Sequence, residues 1–228
     1  MIRLIGAATM IVAMSFGNAV YANTNDTTQA VNKVSAASLE LQNKLNVFDG
    51  YQANFKQVVT DIEANIIHQA DGKLVFKQPG KFIWEVTAPE EELLISNGRY
   101  VWWYNPFVEQ VSIFDVQQAV TQTPFALLVS KDPSIWKQFR INKENDNYVV
   151  TPVDLSQAQV IKLTLTIIDN DLEEIVITSR SQQVSEYTLS EQSKFNPQAD
   201  MFEFEMPAGI DVDDQRSQPE VIDGNVSY

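Results

Sequence analysis

The chain has 228 residues and no cysteine, so no disulfide can staple it, and 30 acidic residues against 16 Lys and Arg leave a net charge of −14. Such a charge repels nucleic acid and anionic lipid surfaces, which argues against a binder of either that works through basic patches. The length suits one domain with one sizeable core.

Met1–Ala22 reads as a secretory signal peptide. Arg3 is followed by an apolar run from Leu4 to Phe16, and Val20-Tyr21-Ala22 places small residues where a signal peptidase cuts. The run is about a dozen residues, short of the ~20 that span a bilayer. We therefore expect export and cleavage after Ala22, with no lipid anchor because no cysteine follows. The mature chain then has 15 basic residues against 30 acidic ones, a net charge of −15.

From Thr27 to Phe48 the spacing of Val31, Val34, Leu41, Leu45 and Phe48 predicts an amphipathic helix ended by Asp49-Gly50. Tyr51–Ile62 alternates, with Tyr51, Ala53, Phe55, Gln57 and Val59 on one side, and Asn65–Phe76 reads as its hairpin partner. Pro79-Gly80, Ser96-Asn97-Gly98 and Asn105-Pro106 then divide an aromatic stretch into short runs. We expect strands at Lys81–Val86, Glu92–Ser96, Tyr100–Tyr104 and Glu109–Phe114. Alternation puts Leu74, Phe76 and Gln78 on one face, and Phe82, Trp84 and Val86 on one face.

Val116–Ser130 carries a Thr123-Pro124 helix start followed by Phe125, Leu127, Leu128 and Val129. Asp132-Pro133 starts a second short helix. Strands resume at Gln138–Asn142, Tyr148–Pro152, Val160–Ile168, Glu173–Ser179, Val184–Phe195 and Met201–Glu205, with a hairpin turn at Asp169-Asn170-Asp171. From Val212 the chain is acidic and polar, and 217–228 reads as a disordered tail after a domain spanning 23–216. The fold class is mainly β: a strongly curved sheet or incomplete barrel, all antiparallel, with a helical lid.

Chemistry is sparse. His68 is the single histidine and lies on an alternating strand with no nucleophile motif beside it. No phosphate loop, dinucleotide fingerprint or metal-ligand spacing is present. Glu90-Glu91-Glu92 and the acids at Asp211, Asp213 and Asp214 sit in a turn and near the tail, where solvated charge is the ordinary reading. Neither an enzyme nor a cofactor is implied. What stands out is apolar surplus on two faces. Trp102 and Trp103 are adjacent on a strand and must point to opposite sides. A roofed apolar cavity would absorb that surplus, and so would a plain two-layer core.

Several of these segments resemble the LolA family of periplasmic lipoprotein carriers. They are Phe55-Lys56-Gln57, Gly72-Lys73-Leu74, Pro79-Gly80-Lys81-Phe82-Ile83-Trp84, Tyr104 to Gln110, Thr123 to Leu128 and Val212 to Arg216. They keep their order over about Ala30 to Arg216. The resemblance implies an incomplete barrel whose helical lid covers a hydrophobic cavity. It also implies a monomeric shuttle, taking acylated lipoproteins from an inner-membrane ABC release complex to an outer-membrane receptor. On this reading Phe82, Trp84 and Trp102 or Trp103 contact acyl chains beneath a lid containing Leu41, Leu45, Phe125 and Leu128. In the best-known members an arginine stands at the place of Gln78 and latches the lid to helix carbonyls. Gln78 can donate but carries no charge, which implies a weaker latch. From a different class, a lipid- or lipoprotein-sensing regulatory module would use the same sheet.

Overall fold

A computed structural model describes residues 35–46, 49–116, 125–156 and 158–217. The expected signal peptide Met1–Ala22, the first part of the Thr27–Phe48 helix, the Thr123-Pro124 helix start and 218–228 lie outside these residues. The described residues belong to one compact unit, Asn32–Tyr228.

Among the described residues one sheet of 12 strands forms the body. In chain order they are β1 (Tyr51–Thr60), β2 (Ile66–Lys77), β3 (Lys81–Ala88), β4 (Glu92–Asn97), β5 (Tyr100–Asn105) and β6 (Gln110–Asp115). There follow β7 (Phe139–Glu144), β8 (Asn147–Pro152), β9 (Val160–Ile168), β10 (Asp171–Ser179), β11 (Val184–Lys194) and β12 (Asp211–Asp214). Their spatial order is β12-β6-β5-β4-β3-β2-β1-β11-β10-β9-β8-β7, so two antiparallel meanders are joined across β1 and β11. At β9–β10 the loop is Asp169-Asn170, both at positive φ (50° and 70°), which matches the strand twist in a two-residue hairpin.

Three described helices lie along the chain: α1 (Ala36–Leu45), α2 (Phe125–Val129) and α3 (Pro133–Trp136). The Ser35 side chain accepts from the Ser38 amide and caps α1. Asp132 caps α3 in the same way, with Pro133 at the first position. The α1 helix is tied to β7 and β8 through Glu40, which accepts from Lys143 Nζ at 2.6 Å and from the Tyr148 hydroxyl at 2.8 Å.

Two expectations are corrected. Met201–Glu205 is not a strand: Ala199–Phe202 forms a 3-10 turn, and Glu203 is extended without a ladder partner. The last strand is β12, inside the stretch read as acidic and polar, and it pairs with β6 in parallel, so the sheet is not all antiparallel. Phe202 and Phe204 alternate as a strand would, but the edge of β6 is taken by β12, and Phe204 packs on the face of the sheet instead.

The two faces carry separate apolar clusters. One gathers Leu41 and Leu45 of α1, Leu127, Leu128 and Val129 of α2, and Ile135 and Trp136 of α3. Phe55, Leu74, Phe82, Trp84, Leu94, Leu163, Leu165, Ile175 and Leu189 join them from the strands. The other holds Tyr100, Val111 and Ile113, with Trp102, Tyr104, Phe204, Ile210 and Val212 packed against them.

Candidate functional site

The helix-covered face is where the expected cavity residues meet. Leu41, Leu45, Phe82 and Leu128 are at most 1% exposed and Trp84 is 5% exposed, all in one continuous core. At its centre Phe55 stacks on Trp84 with ring centroids 4.5 Å apart, and Tyr187 meets Trp84 edge-on at 4.9 Å. Gly72 makes this possible. A Cβ there would stand 2.2 Å from the Phe55 ring and 2.2 Å from the Glu85 carbonyl oxygen. Phe125 lies on α2, and its side chain falls outside the described structure.

The tryptophan pair divides as adjacent strand residues must. Trp103 shares the helix-covered face, opposite Leu94 in the β4–β5 register. Trp102 belongs to the other face, stacked on Phe204 at 6.1 Å. Its apolar surface is therefore covered by the C-terminal segment and not by a cavity. Sequence reasoning had left that choice open, because the covering residues lie about 100 positions downstream.

Gln78 is buried, and its Nε2 donates to the carbonyl of Leu45, the last residue of α1, at 3.0 Å. A helix end leaves such carbonyls without an intrahelical donor, so this bond satisfies one of them. Gln78 Oε1 is buried and has no hydrogen-bond partner among the described residues. Two residues on, the Gly80 amide donates to the carbonyl of Val129, the last residue of α2, at 2.9 Å. One turn between β2 and β3 thus holds the carboxyl ends of both helices. The Gly80 contact was not foreseen, although the Pro79-Gly80 turn that exposes its amide was legible.

His68 is an exposed strand residue. Asp214 is bound by Arg216 in a buried pair whose Nη2–Oδ2 separation is 2.5 Å. Its carboxyl is held below the usual range, first by that hydrogen bond. Among the described residues no group of His, Asp and Glu gathers as metal ligands would.

A family model described as outer membrane lipoprotein carrier protein LolA matches residues 46–205, which takes in every strand but β12. The chain belongs to the LolA family. An outer-membrane lipoprotein carrier protein of Shewanella loihica is 37% identical over 180 residues, covering 78% of this chain and 86% of that one. The protein of the same description from Proteus mirabilis is also 37% identical, covering 79% and 89%. A solved LolA superfamily structure from Nitrosomonas europaea superposes with a TM-score of 0.46 at 14% identity, covering 75% of this chain and 99% of that one. LolA proteins are carriers and not enzymes, in keeping with a site built of apolar side chains and one hydrogen-bonded turn.

Proposed function

We propose that this protein is a periplasmic carrier that hides the acyl chains of lipoproteins between its helices and the Phe82–Trp84 face of the sheet. The observation that carries this reading is the turn at Gln78–Gly80. It clasps the ends of two short helices that cap an otherwise continuous apolar face. A lid that must lift benefits from being held at one end by few hydrogen bonds, each worth about 1 kcal/mol.

The cargo's physics asks for such a device. Each buried methylene is worth ~0.8 kcal/mol, so three chains hold a lipoprotein in a bilayer almost permanently, and water cannot carry it across. The closed core has its own side chains packed where the chains would go. Lifting α1 and α2 exposes Phe82, Trp84 and Leu94, and the acyl chains replace Leu41, Leu45 and Leu128 against them. We further propose removal of Met1–Ala22 on export, action as a monomer, loading at an inner-membrane ABC release complex and delivery to an outer-membrane receptor. The net charge of −15 left after cleavage suits a shuttle that must leave both membranes.

The test is displacement of an apolar fluorescent probe from the purified protein. Acylated lipoprotein is expected to displace it, and the same lipoprotein without acyl chains is not. Equal displacement by both forms would overturn the acyl site. In cells, depletion is expected to strand lipoproteins in the inner membrane. Altered stress signalling with lipoproteins correctly placed would favour a sensor instead.

A further inference from the structure

The helix-covered face does not end in apolar side chains. Across β3, β4 and β5 the register aligns Trp84, Leu94 and Trp103, and exposure rises from 5% and 7% to 41%. The core opens to solvent at β5. A belt of polar side chains, in two hydrogen-bonded groups, lies on the same face as Phe55, Trp84 and Leu94. Trp103 Nε1 donates to Glu92 Oε1. Gln57 Nε2 donates to the hydroxyl of Tyr187 at 2.9 Å, and Ser185 stands two residues before Tyr187 on the same face of β11. The Tyr187 ring itself is part of the aromatic floor. Burial, and then the charge of Glu92, hold its proton on well above the ordinary phenol range.

This is an apolar floor with a hydrogen-bonding edge, and the belt's single formal charge is the Glu92 carboxylate. Its donors are an indole N–H, an amide and two hydroxyls, which suit ester and amide carbonyls. Its carboxylate suits a backbone N–H. In the closed state Trp103 pairs with Glu92 and Gln57 with Tyr187, which spares these four the cost that bare buried polar groups incur. Acyl chains alone cannot tell a lipoprotein from a phospholipid, since both present the same methylenes. What differs is the junction. An acylated cysteine offers neutral esters and an amide, while an anionic phospholipid brings a phosphate to the same depth.

We propose that the belt of Gln57, Glu92, Trp103, Ser185 and Tyr187 receives the ester and amide junction of the acylated cysteine, and that Glu92 excludes anionic phospholipids by placing a carboxylate where their phosphate would lie. The inference rests on the acyl-carrier reading above. It makes Glu92 and Trp103 specificity determinants at the mouth of the site, apart from the floor that takes the chains.

Probe displacement separates the two ideas. Three competitors are titrated below their micelle-forming concentrations: a triacylated cysteinyl peptide, neutral dioctanoylglycerol and dioctanoyl phosphatidylglycerol. Wild type is expected to bind the phosphatidylglycerol about tenfold more weakly than dioctanoylglycerol, the size of a like-charge contact near a protein surface. Glu92→Gln keeps the shape and an acceptor for Trp103. It is expected to recover most of that factor for phosphatidylglycerol and leave dioctanoylglycerol unchanged. Trp103→Phe, which keeps the carboxylate, should retain the discrimination and weaken the acylated peptide about fivefold, as the loss of one hydrogen bond does.

An unchanged phosphatidylglycerol affinity in Glu92→Gln, or an equal gain for dioctanoylglycerol, would overturn the role of Glu92 while leaving the acyl site standing. Full acylated-peptide affinity in Trp103→Phe would remove the hydrogen-bonding role of the belt. Failure of all three competitors to displace the probe from wild type would instead overturn the acyl site, and the belt with it.

Discussion

Gln78 meets α1 with only one of its two amide atoms. Nε2 satisfies the Leu45 carbonyl, but Oε1 is buried without a partner among the described residues. An orphaned buried acceptor costs about 1–3 kcal/mol, so the clasp is partly self-defeating, and opening relieves that penalty. Gln78→Arg replaces the acceptor with further donors, and a hydrogen bond from a charged donor is worth roughly 1.5–3 kcal/mol against ~1 for a neutral one. The variant is expected to close the lid more often. Amide exchange at Leu127–Ser130 should slow about fivefold or more, and cargo uptake should slow with it, because opening precedes loading. Unchanged exchange together with unchanged uptake would remove position 78 from the clasp. Gly72 sets a different constraint. Its missing side chain leaves room for the Phe55 ring, and the neighbouring Glu85 oxygen is ladder backbone that cannot step aside. Gly72→Ala is expected to cost about 1–3 kcal/mol by overpacking. It should appear as a lower urea midpoint at unchanged slope.

At the scale of an element, β12 is held by more than its ladder. Asp211–Asp214 is short and acidic, a poor strand by propensity. Val212 packs in the outer cluster, Arg216 binds Asp214, and the Arg216 guanidinium lies 4.8 Å over the Tyr100 ring. Removing one partner of a buried ion pair costs about 3–5 kcal/mol, more than four edge residues supply. Asp214→Asn is therefore expected to free β12 while the other strands stay folded. Trp102, which lies beneath Phe204, should report this by a red-shifted emission without loss of far-ultraviolet β signal. Acid should do the same to wild type. Arg216 depresses the Asp214 carboxyl, so its contribution is complete above the ordinary carboxylate value of ~3.9 and is lost as pH falls through the lower folded value. A Trp102 signal flat to pH 2 would contradict this. The exposed Glu40–Lys143 pair between α1 and β7 is screened by solvent and adds little beyond orientation.

Over the whole molecule, the two meanders are joined within the sheet where β1 pairs β11, Tyr51 opposite Lys194. That leaves β12 and β7 as edges. Charge guards both, with three aspartates on β12 and Arg140, Lys143 and Glu144 on β7. The net charge of −14 adds repulsion from anionic membranes. The protein is expected to stay in the supernatant when vesicles rich in phosphatidylglycerol are sedimented, at both low and physiological salt. Binding that strengthens at low salt would mean that a local basic patch outweighs the net charge, contrary to a carrier that leaves membranes freely.

Alternation and turn chemistry act within a few residues, and they determined the strands by themselves: Val160–Ile168 agrees end to end, and most others agree to within two residues. The aromatic face of Phe82 and Trp84 was legible for the same reason, as was the sharing of a face by Gln78, Phe76 and Leu74. Only the tertiary structure decided what met those faces. Phe202 and Phe204 carry a strand's period, but β12 takes the edge of β6, so they pack as side chains. Asp211–Asp214 lacks a strand's composition, yet it becomes one because β6 offers an edge and Arg216 neutralises Asp214. Trp102 and Trp103 differ by one residue, and their fates were set by chain elements far away in sequence, Phe204 for one and the mouth of the helix-covered core for the other. Local propensity spans a turn or a strand, whereas burial and pairing depend on which distant segment arrives, and no short window of sequence contains that information.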